Sequence, residues 1–103
     1  MQQRRIKKEY NFYVYILASK RNGTLYIGIT KSLINRDHEH KTKKDKTSFT
    51  AEHNINRLVY YEHYKYVNDA ITREKQLKRY RRKWKIELIE KDNPSWKDLS
   101  LEF

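Results

Sequence analysis

The chain has no cysteine, two glycines and one proline among its 103 residues. Without cysteine there is no disulfide scaffold, no thiolate zinc site and no sulfur nucleophile. Two glycines are too few for a glycine-rich phosphate loop. No run of about 18 apolar residues occurs, so no membrane span is expected. The opening MQQRRIKKEY is basic but leads into no apolar stretch with a small-residue cleavage site, so it does not read as a secretory signal. An intracellular, cytoplasmic location is the expectation.

Positive charge and tyrosine are what the chain has in excess. Lys and Arg number 24 against 13 Asp and Glu, a net charge of +11. That much charge on a small body attracts polyanions, nucleic acid foremost. A solubility surface or ribosomal association is the plainer alternative. Aromatic residues make up 14% of the chain and nine are tyrosine, which argues for a folded domain because disordered chains are aromatic-poor.

Residues 1–10 read as a flexible basic arm and 11–103 as one domain. Asn11 to Ala18 and Thr24 to Thr30 are apolar, aromatic and β-branched, hence strands. Asn22-Gly23 between them is the expected two-residue centre of a hairpin turn. Ser32 is the expected N-cap of a short helix reaching about Lys43. A polar connection follows, then a third strand, RLVYYEHY, over Arg57 to Tyr64. Asn68 is expected to cap a helix that runs into a basic tract near Arg82, with helical pattern resuming through Ile89. NPSWKDL forms a final turn. The element order gives an α+β domain, a three-stranded sheet with helices packed on it.

With Asn22-Gly23 at the turn, Leu17 faces Gly28 and Ser19 faces Tyr26. Side chains alternate along a strand, so Tyr13, Tyr15, Leu17, Tyr26 and Gly28 share one side of the sheet. Val14, Ile16, Leu25, Ile27 and Ile29 share the other, an aliphatic core face. The tyrosines could simply suit strands. Three phenols beside a glycine also leave room for something to approach the backbone.

Two helices carry polar residues where apolar ones belong. With Glu74 at zero and about 100° per residue, Val67, Ala70, Ile71 and Leu77 all fall within about 60° of it. A carboxylate in mid-stripe calls either for an Arg or Lys partner or for a hard cation such as Mg²⁺. In the first helix Leu33, Arg36 and His40 follow at spacings of three and four on one face. His38 and His40 face apart and make no zinc pair. From Arg73 to Lys85, REKQLKRYRRKWK, eight of thirteen residues are cationic, with Tyr80 and Trp84 interleaved. Trp84 reads as a core residue. Lys31, Lys41, Lys78, Arg79, Arg81, Arg82 and Lys83 are the candidate phosphate contacts, binding without reading sequence.

YVY at Tyr13–Tyr15 and YIG at Tyr26–Gly28, with eleven residues from Tyr15 to Tyr26, resemble the paired motif of the GIY-YIG nucleases. Arg36, His40 and Glu74 follow in the order of that family. Tyr13 stands in place of the first glycine of its name, as in a subgroup variant. The chain is most similar to small stand-alone bacterial members related to the N-terminal nuclease domain of the bacterial excinuclease. RLVYYE, REKQLK and NPSW also resemble that subgroup.

The resemblance implies a three-stranded antiparallel sheet flanked by helices. It further implies hydrolysis of DNA phosphodiesters with Mg²⁺ or Mn²⁺, on branched, damaged or single-stranded forms. Glu74 would hold the metal. Arg36 would bind non-bridging phosphate oxygens. Tyr15 or Tyr26 would take the proton of the attacking water, a phenol needing help to do so from a reference pKa near 10. His40 would position that phenol or relay its proton. Asn93 matches a family asparagine only loosely and reads first as an N-cap ahead of Pro94. The partner expected is DNA before RNA. A non-catalytic nucleic-acid-binding module on the same scaffold is the alternative function, and an RNA- or ribosome-associated protein a third.

Overall fold

A computed structural model describes residues 11–42, 51 and 53–103, the His40 side chain excepted. The arm expected over 1–10, and Lys43, Lys44 and Lys46, lie outside the described residues. Three strands, β1 (Phe12–Ala18), β2 (Leu25–Thr30) and β3 (Arg57–Tyr64), form an antiparallel sheet in the order β2-β1-β3. Helix α1 (Leu33–Thr42) follows β2, and α2 (Val67–Arg79) and α3 (Arg82–Asp92) follow β3. A short 3₁₀ turn at Leu99–Glu102 closes the chain. The fold is α+β, and among the described residues no helix is long and apolar enough to cross a membrane.

The central strand is buried on both sides. Val14, Ile16 and Ala18 meet Ile27, Val59, Ala70, Leu77, Ile89 and Trp96 on the helix-covered face. Tyr15 and Leu17 meet Leu33, Ile55 and Leu58 on the other. The face assignment from alternation therefore holds, but the hairpin does not turn where expected. Leu17 pairs with Tyr26 and Tyr15 with Gly28, a register two residues away from the expected one. The loop spans residues 19–24, closed by Ser19 N–H to the Thr24 carbonyl (3.0 Å) and Thr24 N–H to Ser19 Oγ (3.0 Å). Its tight turn runs from Lys20 to Gly23, with Asn22 in the left-handed region (φ 57) and Gly23 one place later. A shift of two keeps every side chain on its side of the pleat, whereas a shift of one would have exchanged the faces.

Ser32 caps α1 as expected, its Oγ accepting from Asn35 N–H (3.2 Å). The cap of α2 falls instead on Tyr66, not Asn68, with no side-chain bond. Ala70 and Leu77 are the buried residues of α2, while Val67 and Ile71 are exposed. The apolar stripe is thus centred away from Glu74, which sits at its margin. Tyr80 and Arg81 are extended (ψ 141° and 151°) and separate α2 from α3 with no glycine or proline. A continuous helix would stack Lys78 over Arg82 and Arg79 over Lys83, like charges one turn apart. The expectation that Trp84 fills the core is overturned. Trp84 is 47% exposed, whereas Trp96 is fully buried, with Nε1 donating to Glu90 Oε2 (2.7 Å). Trp96 takes φ 57 in the turn after Asn93. Asn93 proves to be the C-cap of α3 rather than an N-cap. Its amide donates to the carbonyls of Val59 (3.0 Å) and Lys97 (2.8 Å) and accepts from Lys97 N–H (2.9 Å).

Helix α2 is seated on β3 by a charged hub. Arg73 grips both oxygens of Glu62 (2.8 and 2.9 Å), which also accepts from the hydroxyls of Tyr60 and Tyr64. Burial alone would raise the Glu62 carboxyl, but Arg73, Tyr60 and Tyr64 hold it below its usual value of 4.5. Glu62→Gln, which keeps the shape and removes the charge, is expected to lower stability by about 1–3 kcal/mol at neutral pH. A depressed carboxyl stabilises the fold above its unfolded value, and the gain is lost as pH falls through the folded value. The Tm gap between parent and variant therefore narrows from pH 7 toward about pH 3. A gap independent of pH would show that the charge is not what holds the hub.

Gly28 is required by its neighbour. A Cβ at this position would collide with the Tyr15 hydroxyl and lie 2.6 Å from Tyr15 Cζ. Tyr15 is 2% exposed, packed among Leu17, Leu33, Ile55 and Leu58. Gly28→Ala is expected to cost about 1–3 kcal/mol by overpacking, seen as a Tm lower by several degrees. An unchanged Tm would mean that the phenol is not held where it lies.

Candidate functional site

The tyrosine face of the sheet is built around the phenol of Tyr15. Strand alternation points it away from the aliphatic core, and the missing side chain of Gly28 lets it lie flat across β2. Tyr26, two pairs along the ladder and so on the same face, tilts against it with ring centroids 6.3 Å apart. Burial drives the Tyr15 hydroxyl far above the ordinary phenol range. Tyr26 pushes it further up, Arg36 pulls it down, and Glu74 and Glu39 push it up. Four charged or ionisable side chains from β2, α1 and α2 thus lie within electrostatic reach of one hydroxyl. Of the residues that sequence spacing singled out, the fold gathers Tyr15, Tyr26, Arg36 and Glu74 in this way.

Arg36 is positioned by the capped first turn of α1, its N–H bonding the Ser32 carbonyl (3.0 Å). Its Nε is buried and has no hydrogen-bond partner among the described residues. A buried donor left unmade costs roughly 1–3 kcal/mol, a cost that an incoming anionic oxygen would recover. The backbone of His40 lies in α1, and its side chain is outside the described residues. Glu74 is half-buried, its side chain 19% exposed, and Lys78 stands 3.5 Å from Oε1. That separation exceeds the roughly 2.8 Å of a charge-assisted hydrogen bond, so the pairing leaves the carboxylate able to bind a cation. Among the described residues no group of three or more His, Asp or Glu forms a metal cluster. A single carboxylate suits Mg²⁺, which binds through one or two and otherwise keeps water or takes phosphate oxygens.

Sequence reasoning missed Glu39, three residues after Arg36 on α1, and Tyr61, which pairs with Tyr15 across β3. The period of two would have found Tyr61 had β3 been registered against β1. His63 pairs with Tyr13 in the same register, and their rings are 5.2 Å apart.

The candidate phosphate contacts separate into two groups. Lys31, Lys78, Arg79, Arg81 and Lys83 are exposed. Lys41 instead bonds Asp37 (2.7 Å), Asp98 (3.0 Å) and the Asn56 carbonyl (2.8 Å). Burial would lower its ammonium, but the two carboxylates hold it above its usual value. Lys41 is thus a clasp between α1 and the C-terminal turn. Arg82 is likewise engaged, donating to the carbonyls of Asn22 (2.6 Å) and Gly23 (2.7 Å) and so tying α3 to the hairpin loop. Asn93, with its amide committed to the turn described above, is structural.

Comparison with known proteins agrees with this arrangement. The GIY-YIG catalytic domain matches residues 11–87. A UPF0213 protein of Pediococcus pentosaceus is 35% identical over 88 residues, covering 85% of this chain and 90% of that protein. The solution NMR structure of a UPF0213 protein from Bacillus halodurans superposes with a TM-score of 0.53 at 26% identity. That match covers 85% of this chain and 92% of the other. With the paired tyrosine strands, the capped Arg36 helix and this match, the chain belongs to the GIY-YIG catalytic domain family, alongside the UPF0213 proteins.

Proposed function

We propose that this chain is a divalent-metal-dependent endonuclease that hydrolyses phosphodiester bonds in DNA. The observation that carries the reading is that Tyr26 packs against Tyr15 and that Tyr26, Arg36 and Glu74 all act electrostatically on its buried hydroxyl. Membership of a nuclease family supports it. A net charge of +11 favours a polyanionic substrate.

Each residue has a task suited to its surroundings. Arg36 donates to non-bridging oxygens as charge grows on the phosphorus centre, its unpartnered Nε already desolvated. Tyr15 is too strongly buried to ionise near neutral pH, so it acts as a proton donor that orients phosphate or water. Tyr26 is half-buried and more open to solvent, and is assigned the proton of the attacking water. Glu74 would hold the Mg²⁺ or Mn²⁺ ion, which when bound supplies charge neutralisation at the phosphate and the leaving oxygen. His40, one turn beyond Arg36, is assigned to relaying the proton. Lys31, Lys78, Arg79, Arg81 and Lys83 would follow the DNA backbone.

A second reading is a DNA-binding module without catalysis, favoured by the Lys78–Glu74 pair, which gives the acid a partner without a metal. Cleavage of single-stranded, branched and duplex DNA with Mg²⁺ or Mn²⁺ separates the two. Glu74→Ala is expected to bind DNA as the parent does and to lose cutting by at least about 100-fold. Equal cutting by parent and variant would remove the metal role. No cutting by the parent on any form would favour the binding module.

The two phenols are distinguishable by pH. Tyr26→Phe is expected to lower the rate by about 10²–10⁴-fold, the range for loss of a general base. Tyr15→Phe should lower the rate without shifting the pH profile between about pH 6 and 10, because that phenol stays protonated throughout. A profile shifted by Tyr15→Phe would reverse the assignment.

A further inference from the structure

Trp84 is an aromatic side chain that the core does not use. On α3 the core contacts come from Ile86, Leu88 and Ile89. At about 100° per residue, Trp84 lies about 140° around the helix from the fully buried Ile89. It is 47% exposed and forms one wall of a surface groove of about 380 Å³, lined also by Tyr80, Glu87, Leu88 and Lys91. Tyr80 meets it edge-on, with centroids 5.6 Å apart and planes at 89°, which fixes the indole plane. The Arg81 guanidinium lies 5.5 Å from the ring centroid.

The surroundings of the groove say what covers it. Lys91 lines it beside the carboxylate of Glu87, Arg81 lies over the indole, and Arg79 and Lys83, both exposed, are near neighbours of these residues along the chain. Exposed cations at this density disfavour a basic or neutral protein surface and favour a strand of phosphates. An indole flanked by an edge-on phenol and a guanidinium, with a lysine on the groove wall, is a stacking platform for a flat heterocycle that carries a phosphate on each side. In a duplex the base faces are already stacked, so the platform serves only an unpaired base.

We propose that the Trp84 groove stacks an unpaired nucleobase of single-stranded DNA. The proposal rests on the DNA reading above only as far as binding is concerned, and not on catalysis. Tyr80 buttresses the indole, Arg81 spans the base and its phosphate, and Lys83 and Lys91 take the neighbouring phosphates.

Tryptophan emission tests this directly, because Trp96 is fully buried and Trp84 is the exposed reporter. The intact chain is titrated with oligothymidylate of about 15 nucleotides and with duplex of equal length, at about 50 and 200 mM salt. The single strand is expected to quench the emission, and Trp84→Phe to lose the quenching while keeping affinity within about threefold. Trp84→Ala should weaken single-strand binding about tenfold and duplex binding less than about twofold. Should Trp84→Ala disturb folding, Trp84→Leu supplies the same comparison, keeping apolar volume while removing the aromatic face. Glu74→Ala should quench as the parent does, which separates this groove from the cleavage site. A single strand that binds without changing the emission would overturn the groove and leave the nuclease reading standing. Equal weakening of both DNA forms by Trp84→Ala would do the same. Binding to neither form would overturn the groove and the DNA reading together.

Discussion

The structure depends on a central strand that has no solvent-facing side. Val14, Ile16 and Ala18 are fully buried under α2, α3 and Trp96, while Tyr15 and Leu17 are 2% exposed beneath α1 and its neighbours. A strand buried on both faces tolerates no slip of one residue, because that would drive a phenol into the aliphatic layer and expose an isoleucine. The same constraint sets the chemistry of Tyr15. Its hydroxyl lies over the bare backbone of Gly28, and there it is stripped of water.

Charge on this molecule has divided labour. Some of it is architectural, as where Arg73 and Glu62 seat α2 on β3 and so set where the adjacent Glu74 can reach. Lys41, Asp37 and Asp98 hold α1 to the C-terminal turn. Burial would raise the Asp98 carboxyl, but Ser100 and Lys41 keep it below its ordinary value. Arg82 commits its guanidinium to two loop carbonyls. Of the candidate phosphate contacts, Lys31, Lys78, Arg79, Arg81 and Lys83 remain exposed, where a polyanion can meet them. A count of basic residues alone does not separate these roles, since all have the same charge and differ only in what the fold sets opposite them.

Much of the site was legible because its signals are local. Two strands of alternating residues place Tyr15, Tyr26 and Gly28 on one side whatever the turn, provided the register error is even. Ser32 sits next to the helix it caps, and RLVYYEHY is β-branched and aromatic enough to mark its own limits at Arg57 and Tyr64. Asn22-Gly23 misled because the loop closes through Ser19 and Thr24 side-chain and backbone bonds, which outweigh the dipeptide preference. Glu74 looked central to its stripe because Val67 and Ile71 were counted as core. Both are exposed, and Ala70 and Leu77 are the buried residues of α2.

Composition and periodicity by themselves determined the basic charge, the two-faced hairpin and the helix start at Ser32. These depend on the identity of a residue and its near neighbours along the chain. Tertiary structure alone decided that Trp96 rather than Trp84 fills the core, that Lys41 and Arg82 serve the fold, and that Glu39 and Tyr61 join the tyrosine face. Those outcomes depend on which groups distant segments bring opposite one another, and a linear pattern contains no term for that.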